Sequence, residues 1–176
     1  MPGLLDPPLS DRDHVQGAAG APLELVMYGD FECPFCQASQ SVLTRVRSRL
    51  GEDLRFGFRH FPIDGLHPQA RLAGAAVEAA GAQNAFWEMF DALFALRGRL
   101  GERDLIRAAR DLGLDERRVA QELADGVHDA RVEEDMRSGL ASGVTGTPSF
   151  FVNGVLHTDA FDAGSLVAAL RGEAPR

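Results

Sequence analysis

The sequence predicts an α/β fold in which a βαβ half and a C-terminal ββα half build one sheet, with a helical subdomain inserted between them. Three observations carry this reading. An apolar run at residues 25–28 leads straight into Cys33-Pro34-Phe35-Cys36 and a helical stretch. Residues 54–61 alternate, with Leu54, Phe56 and Phe58 on one face and Arg55, Gly57 and Arg59 on the other, as a half-buried strand does. Asn153-Gly154 sits between two short apolar runs and signals a tight hairpin.

In chain order, residues 1–20 hold Pro2, Pro7, Pro8, Gly3, Gly17 and Gly20 with little periodicity, and a flexible or irregular arm is expected there. Leu25, Val26, Met27 and Tyr28 have strand propensity, and Gly29-Asp30 ends the run. Val42, Leu43, Val46 and Leu50 fall at helical spacing after Cys36, with Gly51 placed to cap the helix. Strand, helix and strand over residues 24–61 make a βαβ unit, whose ligands gather at the carboxyl ends of the strands.

Between Phe61 and Gly146 only helical periodicity appears. An alanine-rich helix is expected from His67-Pro68 to Ala80, a second behind Asn84 with Phe86, Met89, Phe90, Leu93 and Phe94 as its apolar stripe, and a third around Leu105 and Ala109. Asp115 is placed to cap a fourth, and a fifth runs from Val127 to Leu140 with Val132, Met136 and Leu140 on its apolar face. Glu133-Glu134-Asp135 reads as a solvated face of that helix. The hairpin 149–158 and a last helix capped by Asp162 complete the chain. The expected division is an arm at 1–20, a core at 21–62 and 127–171, an inserted helical subdomain at 63–126, and a tail at 172–176.

With 176 residues and 45% hydrophobic content the chain can bury a real core. A net charge of -8 argues against a nucleic-acid or anionic-membrane partner, since either would repel it. The N-terminal residues lack a basic stretch followed by an apolar one, and no segment approaches the length needed to span a bilayer, so a cytoplasmic setting is expected.

Cys33 and Cys36, the only cysteines, close too small a loop to act as a structural staple. Cys33 falls where a helix begins and Pro34 fits the first helical position. Unpaired N–H groups there favour a thiolate, making Cys33 the expected nucleophile; Cys36, one turn inward, can form a disulfide with it and release a bound partner. Asp30 and Glu32, should they approach Cys33, would raise its pKa. The same spacing also suits half a zinc site, but no second Cys-x-x-Cys exists. His60 and His67 are weighed as bases and read more simply as packing or hydrogen-bonding residues.

Tyr-Gly-Asp-Phe-Glu-Cys-Pro-Phe-Cys at 28–36, Arg-His-Phe-Pro at 59–62, His-Pro-Gln-Ala at 67–70 and Gly-Val-Thr-Gly-Thr-Pro-Ser-Phe-Phe-Val-Asn-Gly at 143–154 carry a resemblance. From Leu23 to Leu170 the chain resembles the DsbA-like thioredoxin-fold family, and is similar to the thioredoxin-like domains sometimes fused to sodium/proton antiporters. The resemblance implies that Pro148 is cis beside Cys33 and that the Thr147 backbone pairs with an extended substrate. It also implies that Pro34 and Phe35 support the site. The strongly oxidising DsbA proteins have histidine where this chain has Phe35, from which a less oxidising couple is expected.

The resulting expectation is a thiol–disulfide oxidoreductase that exchanges disulfides with protein, peptide or small-thiol substrates and an unidentified electron donor or acceptor. It needs no metal or organic cofactor, because the two sulfurs carry the electrons. The alternative is a non-catalytic module that binds peptides at Thr147-Pro148.

Overall fold

A computed structural model describes residues 3–173. Its elements are β1 (His14–Gln16), β2 (Leu23–Gly29), α1 (Pro34–Leu50), β3 (Leu54–His60), α2 (Ala70–Gly81), α3 (Phe86–Ala95), α4 (Glu102–Asp111), α5 (Glu116–Ala124), α6 (Asp129–Ala141), β4 (Ser149–Val152), β5 (Val155–Leu156) and α7 (Ala163–Leu170). Among the described residues the sheet order is β1-β3-β2-β4-β5. β2 is the centre: it runs parallel to β3 from Leu23↔Leu54 to Gly29↔His60, with α1 as the crossover. On its other edge it pairs antiparallel with β4, from Leu25↔Val152 to Tyr28↔Ser149.

A central strand covered on both faces needs a continuous apolar run, and Leu25, Val26, Met27 and Tyr28 are all fully buried. Their alternation divides the core. Leu25 and Met27 join Phe56, Phe58 and Phe150 against α1, α3 and α7, whereas Val26, Tyr28 and Phe151 meet Leu5, Leu9, Phe61 and Val144 on the other side. Helix α6 reaches that second face through Gly139, where a Cβ would lie 2.7 Å from the Phe61 ring and 3.0 Å from that of Tyr28. At the hairpin, Asn153 and Gly154 both have positive φ, 48° and 81°. Asn153 also ties the turn down, its Oδ1 accepting from the Glu24 N–H at 2.9 Å and its Nδ2 donating to Leu170 O at 3.0 Å.

Four expectations are corrected. The lead-in is anchored and includes a strand: β1 pairs antiparallel with β3, Leu5 and Leu9 are buried, and the Leu5 N–H donates to Gly154 O at 2.9 Å. Prolines and glycines remove local regularity without removing long-range contacts. Asn84 does not cap α3; it takes a left-handed turn at φ 62° and Ala85 precedes the helix. On α6 the buried set is Val132, Asp135 and Gly139, and Leu140 is exposed, because the close approach at Gly139 rotates the helix away from the apolar stripe. Asp135 is therefore buried, accepting from the His60 N–H at 3.0 Å, with Arg131 beside it. The expected tail at 172–176 lies outside the described residues from 174 onward, as do Met1 and Pro2 of the arm.

The lead-in is held by a buried ion pair. Arg59 on β3 donates through Nε to Asp13 Oδ1 at 2.7 Å and through Nη2 to Oδ2 at 3.1 Å, a bidentate geometry. It also reaches the Tyr28 hydroxyl and the Pro7 and Pro8 carbonyls. Among the described residues no helix is long and apolar enough to cross a membrane. Asp13→Ala leaves the guanidinium buried without its carboxylate, and urea unfolding is expected to show a loss of roughly 3 kcal/mol; a change under about 0.5 kcal/mol, the size of an ordinary surface substitution, would exclude this role.

Candidate functional site

β2 ends at Gly29, and the turn Asp30–Glu32 carries the chain to α1 at the carboxyl end of the sheet. The Cys33 N–H donates to Asp30 O at 3.1 Å, which closes the turn. Cys33 is the N-cap with extended geometry (φ -69°, ψ 120°), and Pro34 occupies the first turn, where no N–H is needed. Phe31 fixes the turn from below by packing among Phe58, Phe90 and Phe94. Phe35 points outward, 65% exposed.

Thr147 arrives from the far end of the sequence. β4 begins at Ser149, opposite Tyr28, so the residues just before it must pass the turn that follows β2. The Cys33 thiol lies 3.3 Å from Thr147 O, to which it donates. Thr147 and Pro148 are half-buried beside it. The register of the sheet thus brings together Cys33, Cys36 and Thr147, with Pro34, Phe35 and Pro148 as their immediate chain neighbours.

Both cysteines are free thiols and the two are unlike. The Cys36 side chain hydrogen-bonds the Cys33 sulfur and is the largest influence lowering its pKa, and the Cys36 and Phe35 amides add to it. These outweigh the penalty of burial and hold Cys33 at about 5. Cys36 is fully buried, and burial, then the Cys33 sulfur, push its pKa well above the usual thiol range. The Asp30 N–H donates to Cys36 Sγ at 3.4 Å and works in the opposite direction.

Asp30 and Glu32 are expected to raise the Cys33 pKa should they approach it, and both carboxylates are engaged elsewhere. Asp30 Oδ1 accepts from the Glu32 N–H at 2.8 Å; its Oδ2 accepts from the Ile63 N–H at 3.0 Å and meets His67 Nδ1 at 2.7 Å. Glu32 accepts from the Gln69 N–H at 2.7 Å. The segment 63–69 is thereby tied to the cysteine turn. His67-Pro68-Gln69 stands out in the sequence as a motif, but nothing in its spacing says that it meets residues 30–32. His60 lies apart, buried and paired through Nε2 with Glu78 at 2.8 Å.

Residues 24–171 match the family model of the DSBA-like thioredoxin domain. A protein of Mycolicibacterium vanbaalenii named Na(+)/H(+) antiporter NhaA 1 is 43% identical over 95% of this chain and 27% of its own length. A similarly named protein of Salinispora arenicola is 42% identical over 95% of this chain and 26% of its own. The chain thus spans about a quarter of the length of the curated relatives it matches. Among solved structures, oxidised BdbD of Bacillus subtilis superposes with a TM-score of 0.87 at 20% identity, covering 98% of this chain and 96% of that one. DsbA2 of Pseudomonas aeruginosa superposes with a TM-score of 0.73 at 25% identity, covering 91% and 93%. By the extent of the family match and the identity to these relatives, the chain belongs to the DSBA-like thioredoxin domain family.

Proposed function

We propose that the chain is a thiol–disulfide oxidoreductase that exchanges disulfides with protein or small-thiol substrates through Cys33 and Cys36. The observation that carries this reading is the asymmetry of the pair. Cys33 ionises at about 5 at the head of a helix, while Cys36 is buried behind it with a raised pKa. At neutral pH the first sulfur is a thiolate ready to attack and the second is held in reserve.

In the reducing direction the Cys33 thiolate attacks one sulfur of a substrate disulfide. A Cys33–substrate disulfide forms, the substrate S–S bond breaks, and the departing thiolate takes a proton from water. Cys36 then loses its proton to solvent and attacks Cys33 Sγ. The Cys33–Cys36 bond forms, the mixed disulfide breaks, and the substrate leaves reduced by two electrons. The oxidising direction is the reverse. The Thr147–Pro148 bond is cis, and Thr147, preceding proline, is biased toward an extended backbone suited to pairing with a substrate strand. Phe35 offers an apolar contact at the rim.

Dithiothreitol-driven reduction of insulin tests the reading. The wild type is expected to accelerate it and Cys33→Ser to run at the uncatalysed rate; equal rates would remove the enzyme reading in favour of a peptide-binding module. Cys36→Ala is expected to accumulate a substrate trapped on Cys33, visible as a band lost on reduction. Alkylation of the reduced protein by limiting iodoacetamide, followed against pH, should rise with a midpoint at about 5 as the Cys33 thiol deprotonates. In Cys36→Ala that midpoint should move upward, because the largest stabilising hydrogen bond is gone. A wild-type midpoint in the ordinary thiol range, about 8.5, would contradict the asymmetry on which the reading rests.

A further inference from the structure

The resolving step makes a demand that the first thiol does not meet. Once Cys33 is tied up in a mixed disulfide it carries no charge, and Cys36 must ionise while fully buried. A buried thiolate requires a donor held in place before the charge appears. The Asp30 amide, 3.4 Å from Cys36 Sγ, is such a donor. It belongs to a residue whose side chain is itself fixed. The Asp30 carboxylate is buried completely, accepts from the Glu32 and Ile63 amides, and meets His67 Nδ1 at 2.7 Å. His67 retains limited solvent access, with 15% of its side chain exposed.

We infer that His67 and Asp30 form a positioning pair for the second thiol: His67 holds the Asp30 carboxylate away from the sulfurs, and this fixes the Asp30 amide on Cys36 Sγ during resolution. The inference rests on the oxidoreductase reading and adds to it residues outside the Cys-x-x-Cys motif. Electrostatics and geometry act together. An uncompensated carboxylate on the residue whose amide reaches Cys36 Sγ would repel a forming thiolate, and His67 with two amides offsets that charge. Cys33 and Asp30 flank Cys36, and His67 faces Asp30 from the segment 63–69. Because Glu32 is tied to the same segment through Gln69, the pair sits within a double clamp, and the loss of His67 alone need not release the turn.

Mixing the reduced protein with excess 5,5′-dithiobis(2-nitrobenzoate) separates the two steps. Attack by Cys33 forms a mixed disulfide and releases one coloured thiolate; attack by Cys36 on Cys33 Sγ forms the internal disulfide and releases the second. In His67→Ala the first phase is expected to stay within about twofold of wild type. The second should slow by about tenfold, with its pH midpoint raised by about one unit, the amount that corresponds to one tenfold change in ionisation. His67→Asn, whose amide nitrogen stands where Nδ1 does, should restore most of the second phase.

A second phase in His67→Ala as fast as in wild type, at every pH, would overturn the inference while leaving the oxidoreductase reading intact. Absence of the first phase in wild type would instead strike the reading itself. Equal slowing of both phases in His67→Ala and His67→Asn would mark a purely structural loop contact and also overturn the inference.

Discussion

β2 is paired on both edges, parallel to β3 and antiparallel to β4, and this double pairing decides what surrounds the cysteines. The parallel partner forces a helical crossover, so α1 must begin just beyond the carboxyl end of β2. The antiparallel partner brings Ser149 opposite Tyr28, and with it the Thr147 carbonyl to within 3.3 Å of Cys33. A slip of one residue between β2 and β4 would turn Phe151 and Phe150 to the wrong faces of the sheet and carry Thr147 out of reach. The same apolar packing that fixes the register of the core therefore fixes the distance at the site.

Beneath the site the protein keeps several charges buried, and Arg59, Glu78 and Asp135 each have a hydrogen-bonded partner. Burial opposes ionisation of Glu78, yet hydrogen bonds from His14 and His60 hold its pKa well below the usual carboxylate range. His14 stacks on Phe86 at 3.5 Å, so this pairing also joins β1 to α3. Asp135 is pushed upward, chiefly by burial, although it accepts from the His60 amide. Arg59, Glu78 and Asp135 all converge on the end of β3, opposite Gly29 and Tyr28 in the parallel ladder. Removing one member of such a group strands its partner in a low-dielectric setting, so these contacts specify one arrangement of lead-in, sheet and helices more than they add net stability.

Much of the architecture was legible because local and global preferences agree. The Leu25–Tyr28 run, the alternation over 54–60, Asn153-Gly154 with its two left-handed residues, and the Asp115 and Asp162 caps each follow from short-range chemistry. The cysteine pair and the start of its helix were legible for the same reason. What sequence reasoning missed depends on partners far along the chain. The strand at His14–Gln16 is short and finds its meaning only against β3, and Asp135 looks solvated until His60 is set beside it. Asp30 and Glu32 were read by charge alone, whereas their direction is set by amides at Ile63 and Gln69, about 33 to 37 residues away.

That direction bears on the redox behaviour of the pair. The expectation of a couple less oxidising than the histidine-bearing DsbA proteins rests on two premises, the neutral Phe35 and a carboxylate field that would act on Cys33 if Asp30 and Glu32 approached it. The second premise fails, since the carboxylates are clamped to the 63–69 segment and Cys33 is held at about 5. A stabilised thiolate lowers the free energy of the dithiol form, and whatever stabilises the dithiol makes the disulfide a stronger oxidant. The high pKa of Cys36 does not cancel this, because a thiol that stays protonated in the folded and unfolded chains alike adds no difference at neutral pH. The stabilisation also needs no histidine between the cysteines: it comes from the Cys36 side chain and two amides of the first helical turn. Phe35 itself is left facing solvent.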